Sequence, residues 1–332
     1  MRTPSFWYEP PGAAATLLAP LALLWRAGAA WRAWRTKPRT ASVPVLCVGN
    51  LVAGGSGKTP VVIDLVTRLR ARGLAAASLS RGHGGRLPGP VAVDPGRHGA
   101  GDVGDEPLLL AARNPAWIGR DRVAAARAMA GTGLQVVVMD DGFQNPGLRK
   151  DLSLIVVDGA SGFGNGRLIP AGPLREPVAA GMARADALVV IGEGPGLDAA
   201  RAAGGECAVL TARLRPDPAV AIALAGRRVL GFAGIGRPGK FFATLRGIGA
   251  QVVEEHSFPD HHVYDAAALE MLSRRAHERD AILVTTEKDA MRLPPGLRTG
   301  ITALPVALDW DDPDAVERLL DRLETGAGDG QA

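Results

Sequence analysis

Short apolar runs alternate with helical or loop stretches along most of the chain. In the first two thirds, these runs lie at 43–48, 75–79, 136–139, 154–157 and 187–191. Near-continuous apolar strands are typical of a parallel sheet that is covered on both faces. The pattern therefore predicts an α/β fold, with a mostly parallel sheet and helices on both faces. Such sheets bind ligands at the carboxyl ends of their strands, so the polar residues that follow the runs are the functional candidates.

A second, smaller set of alternating runs begins near residue 226. Its strand-like runs lie at 228–233, 251–255 and 282–285, with helical patterns near 240–247 and 266–278. The stretch before this set is rich in proline and alanine, which indicates a linker. We therefore predict five parts, namely an N-terminal region (1–40), a first α/β domain (41–212), a linker (213–225), a second α/β domain (226–324) and a disordered tail (325–332).

The first forty residues follow a different pattern. Residues 12–25 carry no charge, and the tryptophans that follow are interleaved with arginines. This uncharged run is shorter than the roughly 20 residues that a membrane span needs, and Pro20 interrupts it. An apolar stripe beside tryptophan and arginine is typical of a helix in the interface of an anionic membrane. We predict an N-terminal amphipathic helix that contacts a membrane surface; the alternative is a helix that packs on its own domain.

Composition narrows the class of protein. The chain has 332 residues, 47% of them hydrophobic and 22% charged, which is typical of a globular protein of about two domains. The formal net charge of +4 suits phosphorylated partners or an anionic membrane. We find no recognisable nucleic-acid module, and we therefore expect no nucleic-acid partner. Nothing in the sequence indicates an obligate protein partner.

Residues 45–60, VLCVGNLVAGGSGKTP, join an apolar run to a glycine-rich loop and a helical pattern. The small residues of this loop are Gly54, Gly55, Ser56 and Gly57. They let consecutive backbone N–H groups surround a polyphosphate, because a larger side chain would block the approach. Lys58 would reach the β- and γ-phosphates, and the Thr59 hydroxyl would bind Mg²⁺. The segment predicts a nucleotide site, although Val52 stands where the common pattern has glycine.

Carboxylates supply further candidates. The run at 136–139 ends in Asp140 and Asp141, as in P-loop proteins that hold Mg²⁺ from a neighbouring strand. Because side chains alternate between the faces of a strand, we expect one of these two to contact the metal directly. Asp105 lies in a glycine-rich turn before a helical pattern. Two roles are open for Asp105: capping that helix, or accepting a proton from an acceptor hydroxyl.

Two irregular segments carry the remaining candidates. Residues 165–177 contain too many prolines and glycines for regular structure, and long loops of this kind are often functional. Within this loop Arg175 could stabilise the charge of a transferring phosphate, and Glu176 could position Arg175 or Mg²⁺. In the second domain His261 and His262 follow a strand. One of them could relay a proton or raise the basicity of a carboxylate, and the alternative is a pair of surface histidines in a loop.

These motifs occur in the order seen in the tetraacyldisaccharide 4′-kinase family, the lipid A 4′-kinases, which the chain resembles over nearly its whole length. The motifs are VGNL at 48–51, GGSGKTP at 54–60, SRG at 80–82, GDEP at 104–107, DDGFQ at 140–144, FGNG at 163–166, PAGPLRE at 170–176, DH at 260–261 and TEKDA at 286–290. Such a series is far more specific than the phosphate loop alone.

The resemblance implies a P-loop NTPase-type fold and transfer of the γ-phosphate of ATP to the 4′-hydroxyl of a tetraacylated glucosamine disaccharide 1-phosphate, giving the 1,4′-bisphosphate. It implies ATP and Mg²⁺ as cofactors, and a peripheral or monotopic location at the cytoplasmic face of the bacterial inner membrane. It also implies the site residues. Asp105 is the base, assisted by His261; Arg175 and Glu176 support transfer; and Thr59, Asp140 and Asp141 hold the metal.

Two positions depart from the pattern of the family. His83 stands where tyrosine is common, and Asn145 stands where histidine usually follows the glutamine. A rival interpretation is a membrane-associated P-loop ATPase switch without lipid phosphorylation. Proteins of that class carry a signature lysine before the two glycines of the loop, where this chain has Ala53.

Overall fold

The computed structural model describes residues 4–326 of the chain. The strands within these residues are β1 (Val45–Gly49), β2 (Ala76–Ser80), β3 (Val91–Ala92), β4 (Ala116–Ile118), β5 (Val136–Asp140), β6 (Leu152–Asp158), β7 (Ala187–Ile191), β8 (Ala208–Pro216), β9 (Arg228–Ala233), β10 (Gln251–Ser257), β11 (Ile282–Thr286), β12 (Ile301–Leu304) and β13 (Val306–Trp310). The helices of the same part of the chain are α1 (Ala13–Arg35), α2 (Lys58–Ala71), α3 (Ala100–Val103), α4 (Asp105–Ala111), α5 (Arg122–Ala130), α6 (Val178–Met182), α7 (Pro195–Gly204), α8 (Pro218–Leu224), α9 (Pro238–Gly247), α10 (Ala266–Glu278), α11 (Glu287–Arg292) and α12 (Pro313–Gly326).

A nine-stranded sheet forms the larger part of the molecule, with the strand order β13-β8-β7-β6-β1-β5-β2-β4-β3. Its central pairs are parallel, and only the two edge pairs, β13 with β8 and β3 with β4, are antiparallel. Alternate residues of β1 enter two different cores. Leu46 and Val48 belong to one apolar cluster, and Val45 and Cys47 belong to the other. Both faces of the sheet are therefore covered, and the predicted α/β fold is confirmed.

A second sheet contains four parallel strands in the order β10-β9-β11-β12. Helices α9 and α10 contribute to two apolar cores that include β9 residues. Phe242 joins Val229 in one core, and Leu272 joins Phe232 in the other. The second α/β unit is thus built on the same principle as the first, because its central strand β9 is also apolar towards both faces.

The domain boundaries need two corrections. The predicted linker, 213–225, contains the end of β8 and the whole of α8. Proline is tolerated in the first turn of a helix and alanine favours helices, so this composition marks a helix start. The predicted second domain, 226–324, also ends earlier, because β13 pairs with β8 of the large sheet and α12 packs Val316 into its core. Of the predicted disordered tail, residues 327–332 lie outside the described residues, and α12 extends to Gly326.

Helix α1 is longer than its uncharged run, because it continues through Pro20 for 23 residues. It is long and apolar enough to cross a membrane by length and composition. Its small residues Ala15 and Ala22 are buried against the rest of the chain. The predicted apolar stripe is exposed instead, with Leu17 at 79% and Leu24 at 70%. These leucines do not pack on the rest of the chain, which leaves them available to a membrane.

Candidate active site

The phosphate loop connects the central strand β1 to α2. Gly57 caps α2 with a φ of 86°, a left-handed conformation that favours glycine, and a Cβ there would have to displace the Ile191 side chain. Gly54 also has a positive φ, 112°. The Ser56 hydroxyl is buried and has no hydrogen-bond partner among the described residues. A loop of small residues that ends at a helix N-terminus suits a polyphosphate, because both present free N–H donors.

Two carboxylates with different surroundings follow β5, the strand next to β1. Asp140 is buried, and its Oδ1 atom has no partner within residues 4–326. Burial, followed by the charge of Glu106, raises the pKa of Asp140 to about 7. Asp141 lies 3.5 Å from Lys58 Nζ and 2.8 Å from Arg175 Nη1. Burial alone would raise the pKa of Asp141, but these two cations hold it below its usual value.

This set of oxygen atoms fits Mg²⁺. Thr59 is the second residue of α2, and β1 pairs with β5 so that Val48 lies beside Asp140. Mg²⁺ commonly takes one or two protein carboxylates and completes its shell with water and substrate phosphates. The unpartnered Asp140 Oδ1 is a buried acceptor that a cation or its bound water would satisfy. Thr59, Asp140 and Asp141 are therefore suitable holders of the metal.

The loop at 165–177 brings Arg175 and Glu176 to the edge of the sheet where Asp141 lies, and the two side chains have different partners there. Arg175 Nη1 donates to Asp141, at 2.8 Å, and to Gln144, at 3.3 Å. Glu176 Oε1 accepts a 3.1 Å hydrogen bond from Gln144, and its other oxygen pairs with Arg184. Arg175 thus reaches the predicted metal site directly. Glu176 supports it through Gln144, which sequence reasoning did not select.

The N-terminal region contacts this loop and the phosphate loop. Trp25 Nε1 of α1 donates to the Arg175 carbonyl oxygen, and Trp7 Nε1 donates to that of Pro170, both at 3.0 Å. The Tyr8 hydroxyl lies 3.7 Å from the position of a Cβ on Gly54. The segment that we predict to contact a membrane is therefore connected to the backbone of the candidate site.

Asp105 and His261 meet across the two sheets. Asp105 opens α4, and its Oδ2 atom lies 3.0 Å from His261 Nδ1. Gly104 occupies the cap position of α4, and Asp105, the first residue of the helix, accepts the Glu106 N–H through Oδ1 and faces His261 with Oδ2. His261 has a positive φ of 58° and donates its backbone N–H to the Gly234 carbonyl oxygen. A strained residue of this kind persists only where its surroundings hold it.

The exposures and pKa values of this pair differ. The Asp105 side chain is 6% exposed and that of His261 is 41% exposed. Burial alone would raise the pKa of Asp105, but the hydrogen bond from His261 and the cations Lys288 and Arg292 lower it to about 2. The same hydrogen bond raises the pKa of His261. Asp105 is therefore an anion at neutral pH, and His261 is the more basic and more accessible partner.

The two positions that depart from the family pattern lie in different settings. The His83 ring is edge-on to that of His261, with 6.0 Å between centroids. Asn145 Oδ1 accepts from the backbone N–H groups of Gly147 and Leu148, which closes a local turn. His83 is thus next to the candidate site, and Asn145 stabilises the loop behind β5. His262 lies away from the Asp105 contact, stacked on Phe258 with 4.5 Å between centroids.

A cavity of about 620 Å³ separates α1 from the loop that carries Arg175. Apolar side chains line most of it, including Leu23 of α1 and Leu168 and Leu174 of the loop, and Arg167 adds a charge. An apolar cavity with a few polar groups is typical of a ligand site.

A phosphate loop, a carboxylate edge for Mg²⁺ and an acid–imidazole pair on one α/β scaffold define a kinase of the P-loop class. The family model for tetraacyldisaccharide-1-P 4′-kinase matches residues 14–324. The chain therefore belongs to the tetraacyldisaccharide-1-phosphate 4′-kinase family, and the predicted enzyme class, an ATP-dependent kinase, is confirmed.

The names of individual relatives agree with this family assignment. A protein of Rhodospirillum centenum named tetraacyldisaccharide 4′-kinase is 59% identical and covers 100% of both chains. One of Rhodospirillum rubrum with the same name is 51% identical, over 98% of this chain and 99% of its own length. The crystal structure of "apo" form LpxK from Aquifex aeolicus, in complex with ATP, is similar with a TM-score of 0.74 and 27% identity, over 93% of this chain and 99% of that chain.

Proposed function

We propose that the chain transfers the γ-phosphate of ATP to the 4′-hydroxyl of a tetraacyldisaccharide 1-phosphate and so forms the 1,4′-bisphosphate. One observation carries the proposal beyond family membership. Asp105 and His261, 156 residues apart in the chain, lie 3.0 Å apart. Helix α4, which begins at Asp105, also contributes Leu110 to the apolar core that α2 enters after the phosphate loop. We infer that an acceptor hydroxyl at the pair lies within reach of the phosphates.

The nucleotide half of the site holds and neutralises the phosphates. The backbone N–H groups of residues 54–57 surround them, and Lys58 supplies a positive charge. Thr59, Asp140 and Asp141 would hold Mg²⁺, which would supply positive charge to balance the phosphates. Arg175, which is paired with Asp141, is the second cation available to the transferring group. Glu176 keeps this loop in place through Gln144.

The acceptor half of the site, Asp105 with His261, removes the proton from the acceptor hydroxyl. Sequence reasoning assigned the base to Asp105, with His261 assisting, and the geometry supports the same pair with the roles exchanged. Both oxygens of Asp105 already have partners, Glu106 N at 3.0 Å and His261 Nδ1 at 3.0 Å, and the carboxylate is buried. We infer that His261 Nε2 accepts the hydroxyl proton. Asp105 accepts the hydrogen bond from Nδ1–H and stabilises the imidazolium that forms.

The lipid nature of the acceptor accounts for the N-terminal region. The apolar cavity beside α1 suits acyl chains, and the exposed stripe of α1 suits the acyl boundary of a membrane. Trp25 and Trp7 connect this region to the loop of Arg175. We infer a peripheral or monotopic enzyme that acts at the cytoplasmic face of the bacterial inner membrane, where ATP is available.

The test is direct transfer of label. The purified full chain is incubated with Mg²⁺, γ-labelled ATP and a tetraacyldisaccharide 1-phosphate in detergent micelles, with Lys58→Ala as the control. Label on the lipid that disappears in the control is the expected result. An unlabelled lipid together with ATP hydrolysis that rises on anionic vesicles would instead favour the membrane-associated ATPase switch.

A further inference from the structure

Helix α11 joins the second sheet to the helix that carries Asp105. Three residues of α11 form ion pairs with residues that lie in α4 or just after it. Glu287 pairs with Arg113, just beyond α4, and Lys288 Nζ lies 2.9 Å from Glu106 Oε1. Arg292, the last residue of α11, reaches Asp105 itself. The proposed mechanism assigns no role to the TEKDA motif, residues 286–290. Through Glu287 and Lys288, this motif forms part of the contact between the two sheets.

The contact made by Arg292 differs from the other two because it is buried. The Arg292 side chain is 5% exposed, and its Nε lies 3.1 Å from Asp105 Oδ2 as an ion pair without the alignment of a hydrogen bond. Its Nη2 atom lies 3.0 Å from Asp289 Oδ1. Asp289 is itself held by the hydroxyls of Tyr264, at 2.7 Å, and Thr286, at 2.5 Å. Contacts within the second α/β unit therefore fix the position of the guanidinium that contacts Asp105.

The same guanidinium also holds the loop of His261. Arg292 Nη1 donates to the His262 carbonyl oxygen at 3.1 Å, and Nη2 donates to that of Gly234 at 3.0 Å. The Gly234 carbonyl oxygen in turn accepts the backbone N–H of His261 at 3.1 Å. Arg292 therefore contacts the carboxylate on one side of the pair and, on the other side, the backbone that keeps His261 in its strained conformation.

We propose that Arg292 is a positioning residue of the acceptor half. Its planar guanidinium contacts both Asp105 and the backbone of the His261 loop, and it thereby sets the distance between Asp105 and His261. The inference rests on the function proposed above. A buried carboxylate requires a compensating charge, and an arginine fork can bind a carboxylate and two carbonyl oxygens at once. A lysine can supply the charge but not the planar set of donors.

The experiment is a double-mutant cycle on lipid phosphorylation, with Arg292→Gln, Asp105→Asn and the double variant. We expect Arg292→Gln alone to lower kcat about 100-fold, as displacements of about 1 Å in a reacting pair do. The KM for ATP should stay within a factor of about 3, because the contacts of Arg292 described above are to Asp105 and to residues of the second α/β unit. In the Asp105→Asn background the same change should lower kcat less than about 3-fold, because the group it positions is already disabled.

Two further variants complete the design. Arg292→Lys should retain more activity than Arg292→Gln, and the exposed Arg298→Gln should match the wild type. If Arg292→Gln does not fold, the cycle is run with Arg292→Lys. Equal losses in both backgrounds, or a rise in the KM for ATP that matches the fall in kcat, would overturn the proposal and leave Arg292 a structural residue. A wild type that phosphorylates no lipid would overturn the proposed function itself.

Discussion

The nucleotide half of the site and its acceptor half are assembled in different ways. The nucleotide half, residues 54–59 with Asp140 and Asp141, comes from two neighbouring strands of one sheet, which pair Val48 with Asp140. The acceptor half, Asp105 with His261, exists only where two sheets meet. A parallel pair of central strands holds its ends rigidly, whereas a contact between two sheets can open. The acceptor half is therefore the part of the site that depends on docking.

Further contacts on the opposite side of the phosphate loop hold the two sheets together. Arg237, the residue before α9 of the second α/β unit, pairs with Asp158 at the end of β6, at 3.1 Å, and donates to Ser161 at 2.7 Å. Its guanidinium also lies over the Tyr8 ring, 4.8 Å from the centroid. The second sheet is thus attached on both sides of the phosphate loop. Substitutions that spare one half and disable the other can test this division of the site.

The largest effect should come from the nucleotide half. Lys58→Ala removes the cation closest to the predicted phosphate position, and we expect kcat for lipid phosphorylation to fall about 10³-fold or more. The KM for ATP should rise as well, because Lys58 would contact the bound phosphates in the ground state. Steady-state kinetics with labelled ATP would measure both values. A loss below tenfold would contradict the assignment of Lys58.

The acceptor half should respond differently to Asp105→Ala. Loss of the carboxylate leaves His261 unoriented, and we expect kcat to fall about 10²- to 10³-fold, with the KM for ATP nearly unchanged. Thermal stabilisation by ATP would report nucleotide binding independently of turnover. Asp102→Ala, in the preceding turn and paired with Arg86, is the matched control. An equal collapse of ATP binding would remove the distinction between the two halves.

The pH profile separates the roles of the two acceptor residues. The hydrogen bond to Asp105 raises the pKa of His261, so the basic form of the imidazole appears only as the pH rises through that raised value. If His261 is the base, Asp105→Asn removes the charge that raises this pKa, and the rising limb of kcat should move to lower pH while its plateau falls. If the rising limb of the kcat profile does not move in this variant, the result would contradict His261 as the base and favour Asp105 in that role.

The smallest effect should come from the connection to α1. Trp25→Phe keeps an aromatic ring but removes the hydrogen bond to the Arg175 carbonyl oxygen. A hydrogen bond of this kind contributes about 1 kcal/mol, so we expect kcat to fall by no more than about 5-fold. Trp34→Phe is the control, because that side chain is 82% exposed. Equal behaviour of the two variants in mixed micelles would show that α1 does not influence the loop of Arg175.

Apolar runs predicted strands best where the run is buried on both faces of a sheet, as in β7 and β9. The predicted runs at 187–191 and 228–233 agree with β7 and β9. Composition was a poorer guide where proline and alanine occurred together, since a strand end and α8 occupy the predicted linker. The return of β13 to the large sheet also escaped prediction, because no local pattern specifies the partner of an edge strand.

The amino-acid sequence by itself determined the nucleotide half, because its residues are consecutive or follow adjacent strands, and local geometry then brings them together. Glycines at positive φ, a lysine at a helix start and acids at a strand end need no knowledge of the distant chain. Only the tertiary structure decided that Arg292, two residues beyond the last recognised motif, lies 3.1 Å from Asp105. Residues 187 positions apart meet there because elements of two different sheets are in contact, and that contact leaves no periodic signal in either sequence segment.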